Sequence, residues 1–472
     1  MRLDLFALRE NASLSGTLHA PLRPTVPTLT PGRSYLLDAV IRTVKLGHLF
    51  TQGTVDSNEV WLTVTVRSGD RVIGANGTLD EHREVDPWAH FVNVFLLDVN
   101  GHRIDRRNPQ DIFTPLYNHQ IPPGAAQTVH YQLVLPKTLD GPITVEIRLN
   151  YRKFDKQYTD FIARSHKKGD RPIRGLDSAT GRLRNDLPIT VLAVDSVTFP
   201  VEGSETETAN ADSTIPPWTR WNDYGIGLFL KGKSELRQAA AAFAEVEKLG
   251  RCDGPLNLAR VLFREGRLTE AAAALARASE ITEPAAPPWT IAWLSGLVAR
   301  DLNQLEKAEQ NFRSVLEDQT PEMLRRGFDF SKDFRIINLL GQTYFDRARR
   351  LRTAEVAPQR RAFLEKAIET FQQTLALDSE NVTAHYNLQQ LYQELGDLKQ
   401  AGQHAQLHAR FKPDDNARDR AVGLAKSRYP AANAAAEEPV FYSLHRAGTP
   451  GLPIADPTGA GADKTTESGE DQ

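Results

Sequence analysis

The sequence holds a single cysteine, Cys252, and no run approaching the ~18 apolar residues that a membrane span requires. A lone thiol excludes an intrachain disulfide, a cysteine-rich zinc site, iron–sulfur ligation and any CxxCH haem attachment, so redox or metal chemistry would need a cofactor borrowed from another segment or chain. Cys252 stands in GRCDGP without the neighbouring imidazole that a nucleophilic thiol wants, and it reads as a junction residue. The start, MRLDLFALRENASL, lacks the basic stretch and apolar core of a signal peptide, so nothing is expected to export the chain as written, which is the cytoplasmic reading. A marked excess of either charge is missing too: charged residues make up 25% and the formal net charge is −3, which gives no pull toward nucleic acid or an anionic membrane surface. Gly-rich phosphate loops, GxSxG, HExxH and DxDxDG are all absent, and no carboxylate pair stands out as acid and base. Neither an enzyme nor a metal site is expected.

What is present is a repeat. Residues 381–415, NVTAHYNLQQLYQELGDLKQAGQHAQLHARFKPDD, read as two amphipathic helices joined at Gly396-Asp397. This is the pattern of a tetratricopeptide repeat, and a pair this small cannot bury its apolar face alone. Earlier copies carry a small residue in the first helix, then Ala, then an aromatic or Leu: Gly227/Ala239/Phe243, Ala259/Ala271/Leu275, Gly296/Ala308/Phe312 and Gly341/Ala367/Phe371, with Gln389/Ala401/Ala405 as the last. All but the fourth keep a twelve-residue separation between the first two positions; the fourth carries a fourteen-residue insertion that is rich in arginine. A right-handed helical solenoid of about five repeats is therefore expected over 217–415, closed by a capping helix at 416–429 and followed by a largely disordered tail at 430–472.

Residues 1–200 switch to a period of two. Ile143, Val145, Ile147, Leu149 and Tyr151 alternate with polar residues, as do Val60, Leu62, Val64 and Val66, and Val129, Tyr131, Leu133 and Leu135. Further strands are expected at 35–45, 71–75, 91–98 and 189–199, with turn chemistry at Gly69, Gly101 and Gly141. The fold class is multidomain β plus α: an antiparallel β-sandwich of immunoglobulin-like type, with a closed barrel as the alternative, joined to the solenoid by a polar linker at 201–216. The hydrophobic period changes across that linker, so two separable folding units are expected.

By repeat position, the first-helix residues that should face a groove are Arg260, Arg264, Trp293, Asn338, Gln342, Tyr386 and Gln390. They mix aromatic and polar groups and suit an extended polar peptide or protein segment. The functional reading is a non-enzymatic interaction scaffold. A basic loop over 164–184 and the arginines of the fourth-repeat insertion read as solvated faces.

Several stretches carry a family likeness. KLGHLFTQGTVDSNEVW, DPWAHF followed by LDVNGHRIDRRN, NHQIPPGAAQTVHYQL and LNYRKF, in that order and followed by the repeats, resemble the C-terminal part of bacterial multihaem c-type cytochromes that carry tetratricopeptide repeats. The resemblance covers roughly residues 1–445 and implies a periplasmic protein with a role in electron transfer. Such proteins carry a haem-bearing segment with CxxCH motifs, which this sequence lacks, so haem would have to come from another segment or chain. The resemblance makes such a segment a partner, and His48, with His90 and His119 behind it, distal ligands to its iron.

Overall fold

The computed structural model describes residues 1–452 apart from 54, 56, 168, 178, 182 and 207. Ten strands come first: β1 (Arg2–Glu10), β2 (Leu18–His19), β3 (Ser34–Arg42), β4 (Glu59–Ser68), β5 (Arg71–Asn76), β6 (Val94–Leu97), β7 (Thr114–Asn118), β8 (Ala126–Val134), β9 (Ile143–Arg152) and β10 (Ile189–Phe199), with helix α1 (Lys156–Ser165) before β10. They form one sheet ordered β8-β3-β1-β2, a second ordered β10-β9-β4-β5, and the hairpin β6-β7. The first two sheets share a core in which Leu37, Ala39, Tyr131 and Leu133 meet Leu62, Val64, Ile147 and Leu149. Over 62–67 of β4 and 143–149 of β9 the alternation works as expected, apolar in and polar out.

Strand β1 escaped the periodicity because both of its faces are buried. Leu3, Leu5 and Leu8 enter the sandwich core, while Phe6 and Ala7 lie in a second cluster with Tyr224 and Leu228. The cover is α2 (Pro217–Leu230), which lies on β8, β3 and β1. Pro216 and Pro217 open that helix where a missing N–H costs nothing.

From α2 the chain runs as helical pairs: α2 with α3 (Leu236–Lys248), α4 (Asp253–Arg264) with α5 (Leu268–Glu280), and α6 (Pro288–Asp301) with α7 (Leu305–Glu317). After the short α8 (Pro321–Arg326) come α9 (Phe334–Arg350) with α10 (Ala357–Leu377), then α11 (Val382–Leu395) with α12 (Leu398–Phe411). A Cβ on Gly296 would meet the Phe312 ring at 2.6 Å and one on Gly341 the Phe371 ring at 3.0 Å, so these positions must be small. The first pair departs from the expected register. Gly225, not Gly227, lies under Phe243, because the 3-10 turn Lys233–Glu235 lengthens the link between α2 and α3 by two residues. Gly227 instead faces Thr128 of β8 and lets the helix close onto the sheet. The insertion in the fourth pair lengthens α9 and α10, and its arginines find internal partners: Arg347 with Glu306 at 3.3 Å, Arg349 with Glu394 at 3.6 Å and Arg361 with Glu365 at 2.9 Å.

Three expectations give way to tertiary contacts. The sandwich and the helices do not behave as two bodies on a tether: Arg220 reaches Asp4 at 2.8 Å, Tyr224 donates to Asp38 at 2.6 Å, and Val201 of the expected linker is buried beside Leu29. Helix α13 (Asp415–Arg428), expected to cap the last repeat, packs on the hairpin β6-β7, where Gly101 lets the backbone approach; a Cβ there would lie 2.5 Å from the Ala421 carbonyl. The tail is ordered at its start: α14 (Pro430–Ala435) follows at once, and β11 (Phe441–Ser443) adds to β8 in parallel. Leu444 then bonds both edges of the sandwich, its N–H donating to Gln132 of β8 at 3.1 Å and its carbonyl accepting from Ala75 of β5 at 2.8 Å. Tyr442 and Leu444 complete the core. The rest of the tail expected to be disordered, 453–472, lies outside the described residues.

Candidate functional site

The first helices stand side by side, α2 against α4, α4 against α6 and α9 against α11. On this row Trp293 and Tyr386 expose 37% and 49% of their surface, far more than buried aromatics such as Tyr224 at 1%. Arg264 is exposed, donates to the Phe229 carbonyl at 2.9 Å and lies 5.0 Å from the Phe229 ring centroid. Arg260, one turn earlier on α4, is half-buried. Its Nε is buried without a hydrogen-bond partner, and desolvation with no carboxylate set against it pulls its pKa below the ordinary arginine value. Gln342 and Gln390 are half-buried. Asn338 is not a groove residue: it is buried, donating to Asn381 at 3.1 Å and accepting from Thr374 at 3.0 Å. A buried amide must satisfy its hydrogen bonds within the protein, and here it ties α9 to its neighbours, as the Asn257 to Asn222 bond at 2.9 Å ties α4 to α2.

The three histidines separate into one exposed residue and one stacked pair. His48 is exposed and donates from Nδ1 to the Leu49 carbonyl at 2.9 Å. His90 is buried with both ring nitrogens engaged. Because the Gln127 oxygen can only accept, Nε2 donates to it at 3.0 Å and Nδ1 accepts from the Tyr442 hydroxyl at 2.9 Å. An iron ligand at His90 would have to give up one of these bonds. His119 donates to the Phe91 carbonyl at 3.1 Å and lies stacked between Tyr117 and His90, with centroids at 4.3 and 5.0 Å. Desolvation pushes the His119 pKa down to about 4 and that of His90 well below the usual imidazole value, so both are neutral rings near neutral pH. They line a cavity of about 230 Å³ with Lys231 and Glu235. Among the described residues, no group of three or more His, Cys, Asp or Glu forms a metal-binding cluster.

A larger cleft, about 380 Å³, opens on the other side of Tyr117, between the hairpin β6-β7, the start of α1 and helix α14. Periodicity gave no sign of it. The quoted motifs nonetheless converge there: Trp88 and Phe91 from DPWAHF, Arg103 and Asp105 from NGHRIDRRN, and Asp155 just after LNYRKF. Arg152, wholly buried, holds Glu59 at 2.8 Å. Desolvation outweighs that partner and pushes the Glu59 pKa up to about 7. Arg103 donates to Asp155 at 2.8 Å, whose pKa burial also raises, and the buried Tyr117 phenol is pushed up to about 12. Perturbed carboxylates in a concave, aromatic-walled site are the usual mark of binding chemistry, and no single stretch of sequence holds the set.

Fold and sites together define a helical-repeat protein whose solenoid is docked on a two-sheet β domain. No family model matches the chain, and no curated protein matches it. Among solved structures, similar ones are those of MamA. A form running from residue 41 to the end, from Desulfovibrio magneticus RS-1, is 16% identical and covers 42% of this chain and 97% of that chain with a TM-score of 0.33. A MamA RS-1 ArsTM double mutant is 16% identical, covering 42% and 96% with a TM-score of 0.32.

Proposed function

We propose that this chain is a non-enzymatic interaction protein whose row of first helices takes an extended polar segment of a partner through a carboxylate on that segment. Arg260 carries the reading. A half-buried guanidinium with an unpartnered Nε and no opposing carboxylate keeps the cost of desolvation without its usual compensation, which an incoming carboxylate would supply. Arg264 stands one turn on, and Trp293 and Tyr386 offer the exposed aromatic surface that anchors bound peptides. The β domain braces the first helix pair through α2, which stands beside Arg260's helix α4. Fluorescence anisotropy with a labelled Asp/Ser decapeptide tests this: the full chain should bind it in preference to a Lys/Ser decapeptide, and Arg260→Gln should weaken binding at least tenfold. Equal binding of both peptides, or an unchanged affinity in the variant, would overturn the reading.

A further inference from the structure

The cleft beside α14 is supplied with acceptors and short of donors. Two of its three lining cations are ion-paired within the protein, Arg103 to Asp155 at 2.8 Å and Lys156 to Asp160 at 2.7 Å, and the third, Arg428, is held by the Gly101 carbonyl at 2.8 Å. Of its carboxylates, Glu59 answers Arg152 at 2.8 Å and Asp105 answers Arg106 at 3.1 Å; half-buried Glu84 has no ion pair among the described residues, and the cation that acts on it across the cleft, Lys156, is already bonded to Asp160. Among the wall residues the Oδ1 of Asn58 is buried without a donor, and so is the Oδ1 of Asn93, whose amide acts on the Tyr117 phenol and which as a whole is only 5% exposed. The remaining wall is aromatic, with Trp88 at the surface and Phe91, Phe95, Tyr117 and Tyr429 deeper. Ring faces attract cations, and this wall already holds two, with Arg103 5.1 Å from the Phe95 centroid and Arg446 5.7 Å from that of Trp88.

We propose that this cleft binds an organic cation, a guanidinium or primary ammonium on a short carbon chain, with Glu84 as its counter-charge, Asn93 and Asn58 as acceptors and Trp88 as the ring face at the mouth. An anion would meet Glu84 and find Arg103 and Lys156 paired with carboxylates and Arg428 tied to a backbone carbonyl, and a purely apolar ligand would leave the amide oxygens without donors. The volume, about 380 Å³, falls at the small end of ligand pockets and suits a diamine or an arginine side chain. The same chemistry can come from a free amine or from a basic side chain of a partner segment. This site is independent of Arg260.

Isothermal titration of the full chain with agmatine, with neutral N-butylurea and with a blocked Ser-Arg-Ser tripeptide tests the proposal. Agmatine should bind at one site at least tenfold tighter than N-butylurea, and Glu84→Gln should cost at least tenfold in agmatine affinity while leaving thermal melting and Asp/Ser decapeptide binding unchanged. Trp88→Leu should weaken agmatine as well. Tripeptide binding as tight as agmatine assigns the site to a partner's side chain; binding of agmatine alone assigns it to a free amine. Equal affinity for the charged and neutral probes, no binding of either cation, or a Glu84→Gln variant that binds like the parent would overturn it.

Discussion

Replacing Gly227 by alanine places a methyl group where α2 closes onto β8. That Cβ would sit 2.3 Å from Thr128 Oγ1, 2.5 Å from Thr128 N and 3.0 Å from the Gln127 carbonyl carbon, whereas relaxed carbon contacts begin near ~3.5 Å. The Thr128 hydroxyl can turn aside. Its backbone cannot, because Thr128 is held in the ladder opposite Val40 of β3. The helix therefore has to lift by about an ångström, at a strain of about 1–3 kcal/mol. Any glycine replaced by alanine inside a helix also gains about 1 kcal/mol of propensity, so a reference is needed. Gly402→Ala in α12 supplies it, since a Cβ there meets nothing within 4 Å. In urea unfolding, Gly402→Ala should match the parent or exceed it by up to about 1 kcal/mol, and Gly227→Ala should fall about 1–3 kcal/mol below Gly402→Ala. If the two variants shift alike, α2 is not docked on β8 and the union of sandwich and solenoid described here is wrong.

Leu444, wholly buried across the sandwich edge, should cost about 2–5 kcal/mol when cut to alanine, as measured by chemical unfolding; a tail that does not pack would give no change. Ala308→Leu, beneath the Gly296 and Phe312 crossing, should destabilise by about 1–3 kcal/mol, with hydrogen exchange rising mainly in α6, α7 and their neighbours; a parent-like melt would refute the register assigned to that pair. His119 has a folded pKa pushed down to about 4 against about 6.5 when unfolded, so below pH 6.5 only the unfolded chain takes up the proton. Its stability contribution is therefore intact above pH 6.5 and lost as pH falls toward 4, by up to about 3 kcal/mol, with His90 adding in the same direction. His119→Gln should flatten that slope in urea midpoints measured from pH 7 to 4.5, and an unchanged slope would show that the ring takes up its proton freely.

Exposure was legible in part because repeat spacing places side chains by rule: Arg264, Trp293 and Tyr386 are exposed on first helices. Asn338 was misplaced since the same rule says nothing of which neighbour an amide finds; Thr374 and Asn381 drew it inward. The cleft beside α14 was illegible in any local window. Glu59, Glu84, Asn93, Arg103 and Asp155 lie on separate stretches of chain, and only the return of α13 and α14 to the hairpin encloses them.

Local periodicity, read from sequence alone, determined where β4, β8 and β9 run and where five helical pairs lie, because an amphipathic element must turn one face inward whatever it meets. Tertiary structure decided everything that depends on both faces of an element being covered or on a partner far along the chain. Strand β1 has no alternating pattern because α2 buries its outer face, and β11 forms because the edges of two sheets present unpaired backbone groups that Leu444 satisfies. Gly227 shows the division at a single position: its smallness fits a helix crossing and a helix docked on a sheet equally well, and only the two residues added before α3 turn it toward Thr128.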